Sequence, residues 1–155
     1  TTPGLVIGVV QKGELIFSKG YGLANIAYGS SNDPKMVYNI GSVSKQFLGY
    51  AFAMLQVEGV LNIDDPVNKY LEDWPEFEYT VTLRHLLTHT SGYREAYTMS
   101  NLAGRTIGVD HLSREECLEV VRKQPQIEFI PGSRWTYNST AWVILLIGLP
   151  SSLMF

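Results

Sequence analysis

The stretch Tyr38-Asn39-Ile40-Gly41-Ser42-Val43-Ser44-Lys45-Gln46-Phe47-Leu48-Gly49-Tyr50-Ala51-Phe52-Ala53-Met54-Leu55-Gln56-Val57-Glu58-Gly59 decides how the chain is read. Val43, Phe47, Leu48, Ala51, Met54 and Leu55 recur at helical spacing, and Gly59 stands where a helix would close. No charge falls between Lys45 and Glu58, so almost every side is apolar or small. Such a helix is expected to be buried on most of its faces. Ser42 and Lys45 stand three apart at its start and share one face. A hydroxyl is a weak nucleophile unless a base lies beside it, and a lysine can serve. Unpaired N–H groups and the positive dipole end of the helix favour negative charge on the serine oxygen and disfavour a protonated lysine. With burial added, these effects would together allow a neutral Lys45 near neutral pH. Taken alone, Ser-x-x-Lys is also the pattern of a surface cap followed by a solvated lysine. Ser44 has no basic residue at the same offset.

Upstream, Leu5 to Val10 is a β-rich run, Gln11-Lys12-Gly13-Glu14 a turn, and Leu15-Ile16-Phe17 a second apolar run; together they predict a hairpin. Gly20-Tyr21-Gly22 through Asn32-Asp33-Pro34 is too dense in turn residues for a helix and reads as a loop, with a short strand near Val37 to Ile40. Downstream, Pro66 precedes a short helix over Val67 to Leu71. Glu72 to Glu78 reads as a solvated loop anchored by Trp74 and Phe77. Thr82 to Thr88 reads as a helix entered from Thr80 or Thr82, and Ser113-Arg114-Glu115-Glu116 is a capping box opening a helix to about Lys123. The apolar run after Ser139 predicts a last, mostly buried helix.

His85 and His89 have the four-residue spacing of two metal ligands. Leu86-Leu87-Thr88 lies between them, without the glutamate of a zinc-protease helix, so a structural role is preferred for both. Ser91 would need a base to meet it in space. Tyr137 follows Pro131-Gly132-Ser133-Arg134-Trp135 and alone reads as a structural tyrosine. Contact with Lys45 would change that, since a phenol beside an ammonium has a depressed pKa and can relay a proton.

The chain has 155 residues, 45% hydrophobic and 17% charged, with a formal net charge of −3. That composition excludes a disordered chain, and its scattered positive residues argue against nucleic acid or an anionic membrane as main partner. One cysteine, Cys117, excludes an internal disulfide framework. The longest apolar stretch, Ala141 to Leu149, is well short of the ~20 residues that span a bilayer, so no transmembrane segment is expected. The first residues lack the pattern of a signal peptide.

Three ordered segments, Tyr38 to Phe47, Leu83-Arg84-His85-Leu86-Leu87-Thr88-His89-Thr90-Ser91-Gly92 and Pro131-Gly132-Ser133-Arg134-Trp135-Thr136-Tyr137, together resemble the serine β-lactamase-like family. That family includes class C β-lactamases, D-alanyl-D-alanine carboxypeptidases and family VIII esterases. Gly20-Tyr21-Gly22 and Leu61-Asn62-Ile63-Asp64-Asp65-Pro66 extend the likeness over nearly the whole chain. The resemblance implies an α+β fold of β-lactamase/transpeptidase type, with residues 1–155 forming a partial domain: a hairpin of an antiparallel sheet plus a helical region. It implies Ser42 as acylated nucleophile, Lys45 as its proton partner, Tyr137 as second acid/base group, and a backbone N–H of Ser42 in the oxyanion hole.

Three departures qualify that likeness. Ser139 stands where the family usually has asparagine two residues after the tyrosine, with Asn138 one place early, so Ser139 and Asn138 are the candidate substrate-binding residues and amide recognition is weakened. The later Lys-Thr-Gly or His-x-Gly strand has no counterpart, since Arg105-Thr106-Ile107-Gly108 precedes Tyr137. The usual N-terminal helix is absent and the tail from Leu149 leaves the pattern, so the chain looks like an N-terminal portion whose C-terminal strands are missing. A hairpin left without neighbouring strands would present an open edge and an apolar face, which predicts self-association.

The leading expectation is a serine hydrolase of esters or amides acting without metal or organic cofactor on a small molecule or peptide. The alternative is a catalytically silent member that binds peptides or cell-wall fragments or self-assembles. The resemblance also favours a location outside the cytoplasm.

Overall fold

A computed structural model describes residues 2–106 and 108–148. Thr1, Ile107 and the tail from Leu149 lie outside the described residues, and with them one residue of the Arg105–Gly108 quartet. The chain divides into two units, Thr1–Gly41 and Ser42–Phe155.

In the first unit, β1 (Leu5–Gln11) and β2 (Glu14–Tyr21) form the expected antiparallel hairpin, pairing Leu5 with Tyr21 and Gln11 with Glu14. Lys12 and Gly13 make its turn with φ of 51° and 84°, the left-handed pair that matches the twist of a two-residue hairpin. A register shift between Val9 and Val10 marks an irregularity in the ladder. A second small sheet pairs β3 (Leu23–Asn25) with β4 (Ser30–Ser31). The strand expected near Val37 to Ile40 is absent, and the turn-rich passage before it supplies β3 and β4 instead. Gly20 and Gly22 explain the packing of this passage. A Cβ on Gly20 would stand 2.2 Å from the Asn32 carbonyl oxygen, and one on Gly22 would stand 2.8 Å from the Gly4 Cα. Among the described residues β1 and β2 form a two-stranded sheet by themselves, and Val10, Leu15 and Ile16 are more than half exposed.

The second unit is helical. A 3-10 turn at Gly41–Ser44 leads into α1 (Lys45–Val57), which closes near Gly59 at a φ of 72°. Val67–Lys69 forms only a 3-10 turn, with Pro66 as the extended residue before it. α2 (Leu83–Leu87) starts at Thr82, α3 (Ala96–Leu102) at Glu95, α4 (Arg114–Arg122) at Ser113, and α5 spans Ser139–Gly148. The α4 box forms as its sequence predicts. Ser113 Oγ accepts from Glu116 N–H at 3.2 Å, and the Glu116 carboxylate accepts from Ser113 N–H at 2.7 Å. α3 has no forecast in the sequence: its seven residues, AYTMSNL, show no apolar period.

The core gathers Phe52 of α1, Leu61, Val67, Trp74, Val81, Leu83 and Leu86 of α2, Tyr93, Leu118 and Val121 of α4, and Ala141, Ile144 and Leu145 of α5. α5 packs on α2, α3 and α4, which accounts for its burial. Trp74 anchors the acidic loop as expected, and its Nε1–H donates to the Tyr93 hydroxyl at 3.0 Å. Burial pushes the Tyr93 phenol up to about 12. The expectation for α1 is corrected. Only Phe52 is buried, while Phe47, Tyr50 and Val57 are 65%, 69% and 88% exposed. An apolar surface sets a tendency to be covered and does not specify what covers it.

Candidate active site

Ser42 lies in the 3-10 turn and Lys45 is the first residue of α1, so one turn of chain carries both on the same side. The Lys45 ammonium donates from Nζ to Ser42 Oγ at 3.2 Å. Tyr137 arrives from 95 residues away, and its hydroxyl shares a hydrogen bond of 2.5 Å with Ser42 Oγ in which either oxygen can donate. Lys45 Nζ also stands 5.2 Å from the centre of the Tyr137 ring and 5.9 Å from that of Trp142. Hydrogen bonding from Lys45, then from Ser42, holds the Tyr137 phenol below the usual tyrosine range, with Ser139 and the Lys45 charge acting the same way. The structure therefore brings together Ser42, Lys45 and Tyr137, with Ser139 beside the phenol. Tyr137 remains 43% exposed, so the cluster opens to solvent.

Asn138 is placed differently from its expectation as a substrate-binding residue. It is buried, its Nδ2 donates to the Tyr93 carbonyl at 2.6 Å, and its Oδ1 accepts from Ala141 N–H at 2.8 Å. Both ends of the amide are committed to the fold, because it bridges the core residue Tyr93 to the first turn of α5. Ser91 is likewise buried and accepts from Tyr93 N–H at 3.2 Å.

The two histidines divide. His85 belongs to the capping box of α2, its Nδ1 accepting from Thr82 N–H at 3.2 Å. His89 lies in the site, its ring stacked on Tyr137 with centroids 4.6 Å apart. Burial lowers the pKa of both, and for His89 the Lys45 charge adds to the effect. Glu95 is a further contributor that the sequence did not single out. Its Oε1 accepts from Tyr97 N–H at the start of α3, while Oε2 accepts from the N–H groups of Ser139 and Thr140 at the start of α5. One carboxylate thus caps two helices and holds the chain just after Tyr137 against the positive end of α5. Its contacts span 44 and 45 residues, so no local spacing signals them.

Among the described residues, no group of three or more His, Cys, Asp or Glu side chains is arranged to hold a metal ion, and no helix is long and apolar enough to cross a membrane. The Cys117 thiol is buried in α4, and burial raises its pKa.

The beta-lactamase family model matches residues 1–149 of this sequence. The chain belongs to that family. It is 38% identical over 97 residues to the serine beta-lactamase-like protein LACTB, mitochondrial, of Homo sapiens, covering 59% of this chain and 18% of that protein. It is 31% identical over 150 residues to esterase EstB of Burkholderia gladioli, covering 87% of this chain and 37% of that protein. Among solved structures it resembles the octameric penicillin-binding protein homologue from Pyrococcus abyssi, with a TM-score of 0.76 and 33% identity. That alignment covers 92% of this chain and 33% of the other. The chain thus spans a third or so of the length of EstB and the octameric homologue, and less of LACTB. The β-lactamase/transpeptidase-like fold expected from the sequence is the fold observed.

Proposed function

We propose that the family member to which this chain belongs is a serine hydrolase of esters or amides that works through an acyl-enzyme on Ser42. The single observation that carries the reading is Ser42 Oγ held between the Lys45 ammonium at 3.2 Å and the Tyr137 hydroxyl at 2.5 Å. With Lys45 donating to Oγ, the serine's own proton is free to point at the phenol oxygen. A phenol held below its ordinary pKa spends more time as phenolate, which is the form able to take that proton. Oγ then bonds to the carbonyl carbon, and the carbonyl oxygen becomes an oxyanion. The backbone N–H of Ser42, at the start of a helical segment, is a suitable donor to it. Collapse expels the alcohol or amine, which takes the proton from Tyr137. Water attacks the ester left on Ser42 and releases the acid, with Tyr137 and Lys45 again moving the proton. Ser139, beside the phenol, is the candidate substrate-binding hydroxyl. The similarity to EstB supports ester substrates.

The test is intact-protein mass after incubation with a serine-reactive phosphonate. A single adduct that disappears in Ser42→Ala supports the reading, and an adduct that persists in that variant overturns it. Self-association is proposed on a separate observation, the row of exposed apolar side chains on the β1–β2 hairpin, with the octameric homologue as support. Light scattering that finds a monodisperse monomer would overturn it.

A further inference from the structure

Tyr137 lies between the Pro131-Gly132 turn and α5, in a segment without helix or strand of its own. Three contacts to one residue hold it there. The N–H of Thr136 donates to the His89 carbonyl at 2.9 Å. On the other side of Tyr137, the N–H of Asn138 donates to His89 Nδ1, also at 2.9 Å. Between these two bonds the rings of His89 and Tyr137 stack, 28° from parallel. His89 aims its carbonyl and its ring at this segment because it sits just past α2 in the left-handed region, with φ 59°. Histidine enters that region more readily than most side chains. Trp135 and Trp142 stand 5.9 Å from the imidazole and enclose it.

We propose that neutral His89 is the positioning residue that aims the Tyr137 phenol at Ser42 and Lys45. The inference rests on the reading of Tyr137 as the acid/base group and adds which residue orients it. The bond from Asn138 N–H requires a lone pair on Nδ1, so the ring carries its single proton on Nε2. Protonation would turn Nδ1 into a donor facing a donor, and that bond would be lost. The titratable groups facing the ring are Lys45, from α1, and Tyr137 itself. A second positive charge beside Lys45 is unfavourable, and burial acts the same way; both keep the ring neutral into mildly acid solution. A histidine that served stability alone would leave the phenol's titration untouched in a folded chain.

The test follows the Tyr137 ring by NMR across pH in the full 155-residue chain, beside the imidazole signals of His89, with phosphonate labelling of Ser42 in parallel. In the unmodified chain the Tyr137 signals are expected to inflect at the His89 midpoint. In His89→Asn, which tolerates the left-handed backbone and lacks the ring, the phenol midpoint is expected to rise by about one pH unit. Labelling is expected to slow by about tenfold. A folded His89→Asn with an unchanged Tyr137 midpoint overturns the proposal. So does the absence of an inflection at the His89 midpoint in the unmodified chain, which decides the matter if the variant does not fold. A shifted midpoint with no labelling of the unmodified chain would retain the positioning role and remove the hydrolase reading. Equal labelling with an unchanged midpoint would do the reverse.

Discussion

α1 and α5 are the two most apolar helices of the chain, and they meet opposite fates. α5 buries Thr140, Ala141, Ile144 and Leu145 against α2, α3 and α4. α1 buries Phe52 and leaves Phe47, Tyr50, Met54 and Val57 in solvent. Apolar content therefore records that a surface favours being covered and says nothing of what covers it. The site is divided between the same two helices: Ser42 and Lys45 come at the start of α1, and Tyr137 comes two residues before α5. The buried helix backs Tyr137 through Asn138 and Glu95, and the exposed helix carries Ser42 and Lys45 at its start.

The largest effect is expected where the two helices meet. Tyr137→Phe removes the hydroxyl shared with Ser42 and should slow phosphonate labelling by about a hundredfold or more. Equal labelling of the unmodified chain and Tyr137→Phe would separate the α5 side of the site from the chemistry. Next comes the contrast in packing. Ile144→Ala in α5 should cost about 2–5 kcal/mol in urea unfolding, against less than about 0.5 kcal/mol for Phe47→Ala on the exposed side of α1. Similar losses at both positions would erase the distinction between the helices.

Smaller effects are expected at helix starts built from local signals alone. Ser113→Ala should cost about 1 kcal/mol through the lost cap of α4. In the same box Glu116 is held down to about 2, first by the Ser113 backbone and then by Arg105. Its folded pKa lies below the unfolded value, so its contribution is present above about pH 4.5 and is lost as pH falls through about 2. Unfolding midpoints followed from pH 5 to about pH 2 should decline more steeply in the unmodified chain than in Glu116→Gln. The histidines act in a different window. His85 and His89 are lowered, so the unfolded chain binds more protons below about pH 6.5, and stability falls as pH drops through that value. The fall should end once the folded histidines are protonated, and His85→Asn should remove part of it, as read from unfolding midpoints between pH 7.5 and 5.

Much of the fold was legible because its signals are local. The hairpin shows as two β-rich runs around Lys12-Gly13, α4 as a serine with glutamate three residues on, and α5 as an unbroken apolar run. α3 was not legible, since its start depends on Glu95, whose other oxygen is engaged at α5. The strand expected at Val37 to Ile40 failed because β-rich composition does not supply a partner edge.

In the site, the Ser42–Lys45 pair was legible because a helix turn brings positions three apart together whatever surrounds them. The side-chain partners of Asn138 were not, because an amide one residue from a site residue points inward or outward according to what lies behind it, here Tyr93. By itself the sequence determined the elements whose hydrogen bonds close within a few residues, along with the ordered motifs that place the chain in its family. Only the tertiary structure decided that Tyr137 reaches Ser42 across 95 residues, that His89 stacks on it, and that α1 keeps its apolar side exposed. Those outcomes depend on which surfaces meet. Contact between distant segments is set by packing of the whole unit, where many weak interactions add up, and no short window of residues contains that sum.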